Sequence, residues 1–416
     1  MSTYLDLNKA LTEEEVAVKE QTHRFAEEVL RPASIELDKI ADPQEVIKEG
    51  SVFWDVFKKA YEMGHHIRGF PEELGGVSLG PLASHMIAEE MGWGSADFAI
   101  GLGVAPFPFT FANTFAGLTG NQALMDELVI PFAKDREAKY IGCWAITEPQ
   151  HGSDGLLIEG EQFGYPSVAF DMNAKRDGDD WILNGQKAAW VSDGTIASHA
   201  LAFVCIDPSK GMAGSGVAVV PLDLPGVSKG PPLNKLGQRA LNQGEIFLDD
   251  VRIPKHYMLV EPALYPITIN NILAIANAGM GAIFTGVARA AFEEALAYCK
   301  ERVQGGKPIC EHQAVQLKLF DMFIKVETAR AISRAAMIYN AQTQPPATQY
   351  SIASKVFCTN AAFEVANDAV QLHGGYGLAK DFLVEKLFRD ARASQIEDGC
   401  NEVLSLAGAR AVIEKY

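Results

Sequence analysis

The 416-residue sequence is poor in anything that would staple, anchor or export it. Its six cysteines (Cys143, Cys205, Cys299, Cys310, Cys358 and Cys400) are scattered without a CxxC pair. That spacing argues against a disulfide framework or a zinc site and for a reducing compartment. Basic side chains are also scarce, 36 against 53 acidic ones, for a formal net charge of −17. Without a basic face the chain is unsuited to nucleic acid or an anionic membrane, and the acidic excess reads as solubility. The N-terminus lacks the apolar stretch of an export signal, so the expected location is cytoplasmic. No GxGxxG opens a βαβ unit and no Walker loop is present, which removes two nucleotide-binding folds. Repeats and low-complexity tracts are missing as well. The most apolar long stretch, Ile267 to Val287, carries Asn270, Asn271 and Asn277, so it reads as a buried helix and not a membrane span.

What is present is a change of period along the chain. With 48% hydrophobic and 21% charged residues, a chain of this length can bury a large core in two or three domains. Residues 1–138 read as helical. Thr12-Glu-Glu-Glu15 has the form of a capping box, and helices are predicted over Phe53–Met63, ended by Gly64, and over Pro81–Met91. Two more are expected between Ala105 and Lys134, with Pro71–Gly76 as a loop. From 139 to 256 the segments become short, β-branched and aromatic, and Asp177-Gly178 is a hairpin signal. From 257 to 416 helical periodicity returns, broken at Gly305-Gly306, Pro345-Pro346 and Gly374-Gly375. The plan is α+β: helices, a β domain, then a longer helical part.

The chemistry-bearing strings lie at the domain edges. In Trp144-Ala-Ile-Thr-Glu-Pro-Gln-His-Gly-Ser-Asp154 a strand ends at Thr147, Pro149 forces an exit, and Gly152 frees backbone N–H groups to face an anion or a ring edge. By itself this is equally a turn with a hydroxyl. Gly185–Ser192 follows, placing Trp190 and Ser192 on one strand face at i, i+2. Trp190 alone would more often be a core aromatic, and Gly374-Gly375 alone a helix break. His151 and His373 have no ligand spacing, so no metal site is evident.

Together with "KERVQGGKPICEHQAVQ" and "QLHGGYG…EKLFRDARASQIEDG", these strings fall in an order and spacing that resembles the acyl-CoA dehydrogenase family over nearly the whole chain. The resemblance implies an N-terminal helical domain, a β-barrel-like middle domain and a C-terminal four-helix bundle. It also implies FAD as cofactor. Trp144, Ile146 and Thr147 would meet the isoalloxazine edge, Ser153 the pyrophosphate, Trp190 the flavin face, and the Ser192 hydroxyl flavin N5. Arg302 and Gln313 would cover the adenine half across a subunit boundary, and Gln371, Gly374 and Gly375 would form the turn near ADP. Arginine suits a diphosphate, and glycine permits close backbone approach. The same resemblance implies an acyl-CoA substrate, an electron-transferring flavoprotein as acceptor, and a homotetramer built as a dimer of dimers.

Departures concern the base. Proton abstraction beside the thioester carbonyl is expected from a glutamate directly before the glycine of an "EGT"-like turn. Here Asp398 holds that position, Glu397 precedes it, and Cys400 replaces the following threonine. The alternative base position on the long C-terminal helix is Ala276, with Asn277 where a neighbouring arginine is common. Asp97 in "MGWGSADFAIG" is a reserve base, with a solvent-exposed helix-terminal aspartate as its bland reading. Aromatic Pro106–Phe111 suits either a ring-accepting pocket or core packing. An extra stretch, "GLLIEGEQFGYPSVA", lengthens the loop after Asp154. The missing glutamate resembles the branch acting on alicyclic acyl-CoA. A straight- or branched-chain dehydrogenase, a lyase-like FAD relative and a non-catalytic acyl-CoA-binding subunit remain alternatives.

Overall fold

The computed structural model describes residues 11–77, 79–158 and 160–416. The first ten residues of the expected N-terminal domain and Glu159 of the extra stretch lie outside them. Contacts divide the chain into two units. One comprises residues 11–35, Gly80–Ala96 and Ala274–Asn401; the other comprises Glu36–Leu79, Asp97–Leu273 and Glu402–Tyr416. The helices before residue 138 are shared between the two units.

The first unit is helical. Thr12 closes the predicted capping box, its hydroxyl accepting from Glu15 N–H while the Glu15 carboxylate accepts from Thr12 N–H at 2.9 Å. Helix Pro81–Gly94 packs on the Tyr265–Glu301 helix backbone to backbone. A Cβ on Gly286 would stand 2.0 Å from the Glu89 carbonyl oxygen, and one on Gly92 would stand 2.0 Å from that of Ile283. Only glycine allows this approach. An ion cluster then spans the buried seam. Arg289 donates to Glu89 at 2.8 Å and to Glu90 at 2.9 Å, while Arg330 reaches Glu89 at 2.9 Å and also pairs with Glu327. Burial alone would raise the Glu89 carboxyl, but Arg330 and Arg289 outweigh it and hold the group well below its ordinary range. Helices Gln313–Ala341, Thr348–His373 and Leu383–Ser394 complete this unit.

The second unit is organised by an eight-stranded sheet. Its strands are β1 (Gly142–Ala145), β2 (Asn173–Asp177), β3 (Asp180–Ser192), β4 (His199–Cys205), β5 (Ser215–Pro221), β6 (Val227–Lys229), β7 (Gln243–Pro254) and β8 (Met258–Val260). The order is β6-β7-β3-β2-β4-β5-β8, with β1 parallel to β4. The hairpin at Asp177-Gly178 forms as read, pairing Asp177 with Asp180. Strand β8 pairs with β5 through Val217↔Val260, so the sheet runs past the boundary expected at 256. Val217 to Val220, Phe203 and Leu201 are fully buried, because β4 and β5 are covered on both faces. Tyr265, at the start of the long apolar helix, is buried edge-on to Phe203. That helix is mostly buried, as its asparagines suggested.

Helix Ala96–Val104 carries Asp97 in its first turn. The extra stretch after Asp154 folds into short 3-10 turns, Ser153–Leu156, Glu161–Gly164 and Pro166–Val168. With Arg410, Ile413 and Glu414 of the last helix, Gly160, Glu161, Gln162 and Tyr165 of that stretch line a groove of about 480 Å³.

Candidate functional site

The residues singled out from sequence divide between the two units. In the sheet unit, the exit of β1 is laced to β3. Thr147 accepts from Ala188 N–H at 2.8 Å, and the Ile146 carbonyl accepts from Lys187 Nζ at 3.1 Å. Lys187 is fully buried and also donates to Glu148 at 2.6 Å, while Glu148 accepts from the N–H groups of Asp171 and Met172. Burial pulls the Lys187 ammonium down to about 8, against the pull of Glu148. Glu148, His151 and Asp171 bring potential metal ligands within 4.8 Å of one another, but Lys187 already supplies the cation there. The cluster is better suited to holding the Thr147–Asp154 turn than to binding an ion. Ser153 opens the next turn, where Gly152 N–H and His151 both bond Asp154.

Past Lys187 the β3–β7 register slips, from Lys187↔Ile246 to Val191↔Gly244. Ala188, Ala189 and Trp190 together oppose Glu245 alone, so the strand bulges outward. Trp190 is consequently 58% exposed, and the core reading of this indole is excluded. Val191 points inward, which leaves Trp190 and Ser192 on the outer face at i, i+2 as read from sequence. An exposed indole beside an accessible hydroxyl, both carried on main chain held by hydrogen bonds, fits a planar ring with polar edge atoms. Trp144 behaves differently. Its half-buried side chain packs at 5.5 Å on Phe203 and 5.1 Å on Phe107. Of the aromatic string, Phe109 is core, stacked at 4.1 Å on Phe132.

In the helical unit, Arg302 follows the long helix and leads into a ribbon of β9 (Val303–Gln304) and β10 (Lys307–Pro308), with Gln313 starting the next helix. Ile309 N–H donates back to the Arg302 carbonyl at 2.8 Å, which closes the ribbon. The Arg302 guanidinium lies 5.9 Å from the centre of the Tyr376 ring, next to the Gly374-Gly375 turn and the exposed Gln371. Gly374 has φ +61° and ψ −136°, a region closed to residues with a Cβ. Arg302, Gln371, Gly374 and Gly375 thus form one exposed patch, with Gln313 at the far end of the ribbon.

The carboxylate turn lies between helix Leu383–Ser394 and helix Asn401–Lys415. Asp398 sits at φ +51°, followed by Gly399 at φ +92°. Asp398 is exposed as a residue. Desolvation raises its pKa, and the Lys355 charge opposes part of the rise. Lys355 is the functional residue that sequence reading missed. Fully buried, it donates at 2.8 Å to the Gly399 carbonyl and at 2.8 Å to Asn401 Oδ1, pinning the turn from below. Asn401 in turn donates to Thr359 and Asn360. A lone lysine in a helical sequence carries no signal for such a role. Cys400 sits half-buried in the same turn.

Asp97 is not the solvent-exposed helix-end residue of its bland reading. It is fully buried, and its two oxygens accept from Phe98 N–H and Ala240 N–H, each at 3.1 Å. It ties a helix start to the loop before β7.

Profiles described as the acyl-CoA dehydrogenase N-terminal, middle and C-terminal domains match residues 12–112, 143–251 and 267–413. The chain is 30% identical over 410 residues to the mitochondrial short-chain specific acyl-CoA dehydrogenase of Rattus norvegicus, covering 98% of this chain and 92% of that one. It is 30% identical to the 3-(aryl)acrylate reductase of Clostridium sporogenes over 94% of this chain and 96% of that one. The structure of butyryl-CoA dehydrogenase from Megasphaera elsdenii superposes with a TM-score of 0.83 at 26% identity, covering 98% of this chain and all of the other (100%). The chain therefore belongs to the acyl-CoA dehydrogenase family, FAD-dependent oxidoreductases acting on acyl-CoA thioesters.

Proposed function

We propose that this chain dehydrogenates a cyclic or otherwise bulky acyl-CoA, with Asp398 as the base. The observation that carries the reading is the Asp398 turn. Its carboxyl is raised by desolvation, which strengthens it as a base, and Lys355 holds the turn through Gly399 and Asn401. An aspartate reaches about 1.5 Å less far than a glutamate, one C–C bond. Since proton transfer needs heavy atoms within about 3 Å, the acyl group has to bring its acidic carbon closer to the turn. A ring or branch beside the thioester changes that pose, and a straight chain does not. The name of the C. sporogenes relative, an arylacrylate reductase, is in keeping with bulky acyl groups in this neighbourhood of the family.

FAD, when bound, supplies the hydride acceptor. Trp190, Ser192 and the backbone of Ile146 and Thr147 would hold its ring, Ser153 its pyrophosphate, and Arg302 with the Gly374-Gly375 turn the ADP half. In the resemblance that last group acts across a subunit boundary, so the proposal includes a homotetramer. Leu317, Phe320 and Ile324 support association. They recur at i, i+3, i+7 on helix Gln313–Ala341 and are 74%, 63% and 46% exposed, an apolar stripe that a second copy of the chain would cover. A cytoplasmic location and an electron-transferring flavoprotein as acceptor complete the reading.

The test is anaerobic mixing of yellow holoprotein with a thioester panel while flavin absorbance is followed. Cyclic acyl-CoAs should bleach it fastest. Butyryl-CoA reacting faster than any cyclic or branched thioester would overturn the substrate reading, and no bleaching by any of them would overturn the base as well.

A further inference from the structure

Ser192 does not stand alone on its strand. Opposite it in the β3–β7 ladder is Gln243, nine-tenths buried. The Gln243 amide donates from Nε2 to Ser192 Oγ at 3.2 Å and to the Trp190 carbonyl at 3.3 Å. Its Oε1 accepts from Lys235 Nζ at 2.8 Å, and Lys235 also donates to the Leu241 carbonyl at 2.7 Å.

The order of these groups dictates direction. An ammonium has protons and no lone pair, so the amide oxygen must face Lys235. That orientation turns Nε2, with its two protons, toward Trp190 and Ser192. Ser192 Oγ then receives a proton from the buried side and cannot point its own there. The hydroxyl proton is directed outward, on the face where Trp190 is exposed. We propose that Lys235 and Gln243 are positioning residues that make Ser192 an obligate hydrogen-bond donor to an acceptor atom of the bound flavin. The Lys235 charge polarises the chain, since donors in series strengthen one another. This inference rests on the seat of Ser192 against the flavin given above.

A double-mutant cycle tests it on apoprotein reconstituted with FAD. The readouts are the FAD dissociation constant, from quenching of free-FAD fluorescence, and the position of the bound flavin's visible bands. Ser192→Ala and Gln243→Leu should each weaken FAD by about fivefold, the weight of one neutral hydrogen bond, and move the bands in the same direction. The double variant should bind no more weakly than Ser192→Ala alone, because the glutamine acts through the serine. Lys235→Met should show the same dependence on Ser192, whereas Lys235→Arg, which keeps a donor and a charge, should retain the parent spectrum. Lys235→Met also stands in if Gln243→Leu does not fold. Additive losses of about twenty-five-fold in the double variant would refute the relay while leaving Ser192 at the flavin. Parent affinity and parent bands in Ser192→Ala would refute the seat of Ser192, and the relay with it.

Discussion

Replacing Asp193 by asparagine should stabilise this protein, and increasingly so as pH rises. Asp193 follows Ser192 at φ +62°, with its N–H donating to the Asn242 carbonyl at 2.7 Å. Its side chain is 1% exposed, and neither carboxyl oxygen has a hydrogen-bond partner among the described residues. The nearby wall includes Gly101, Leu241 and Phe57. Burial raises the carboxyl well above its ordinary 3.8, and the Lys235 charge only partly opposes this. The folded state therefore keeps a proton that the unfolded chain releases above pH 3.8. The associated stability is fully present below the unfolded pKa and is lost as pH rises toward the folded one, at about 1.4 kcal/mol per pH unit for one proton. By pH 7 the loss is capped at about 4 kcal/mol. Asparagine has no proton to release and tolerates positive φ better, so Asp193→Asn should be near neutral at pH 4 and more stable than the parent at pH 7, by at most about 4 kcal/mol. Urea unfolding of the apoprotein at several pH values measures this without linkage to bound FAD. A difference between variant and parent that stays flat from pH 4 to 7 would show that Asp193 titrates normally and would refute the reasoning.

Three further outcomes follow from other sites. Asp398→Asn should keep FAD and thioester binding but slow flavin reduction by roughly two to four orders of magnitude, and stopped-flow bleaching at the parent rate would remove Asp398 as the base. Asp97→Asn should act on stability instead, since the Asp97 carboxylate holds two buried backbone N–H groups; slower bleaching in a fully folded Asp97 variant would restore it as a candidate base. Gly286→Ala would put a methyl 2.0 Å from the Glu89 carbonyl, and overpacking of that kind should cost about 3 kcal/mol, read as a lower melting temperature; an unchanged melt would mean the two helices separate freely.

Local chemistry was legible in the chain itself. The Thr12 capping box, the Asp177-Gly178 hairpin and the glycine break at Gly374 depend on residues a few positions apart, so period and turn chemistry suffice to find them. The family plan was legible for a related reason, since motifs in fixed order mark the ends of strands and helices. Tertiary structure alone decided the rest. Trp190 is exposed because a register slip against β7 pushes it outward, and no alternation within β3 encodes that slip. Asp97 became a buried tie because Ala240, 143 positions away, supplies its second N–H. Lys355 supports Asp398 across 44 residues through the Gly399 carbonyl, and Gln243 orients Ser192 only because Lys235 faces its amide oxygen. These roles come from partners distant along the chain, and a side chain's protonation, hydrogen-bond polarity and exposure are set by what folding places beside it.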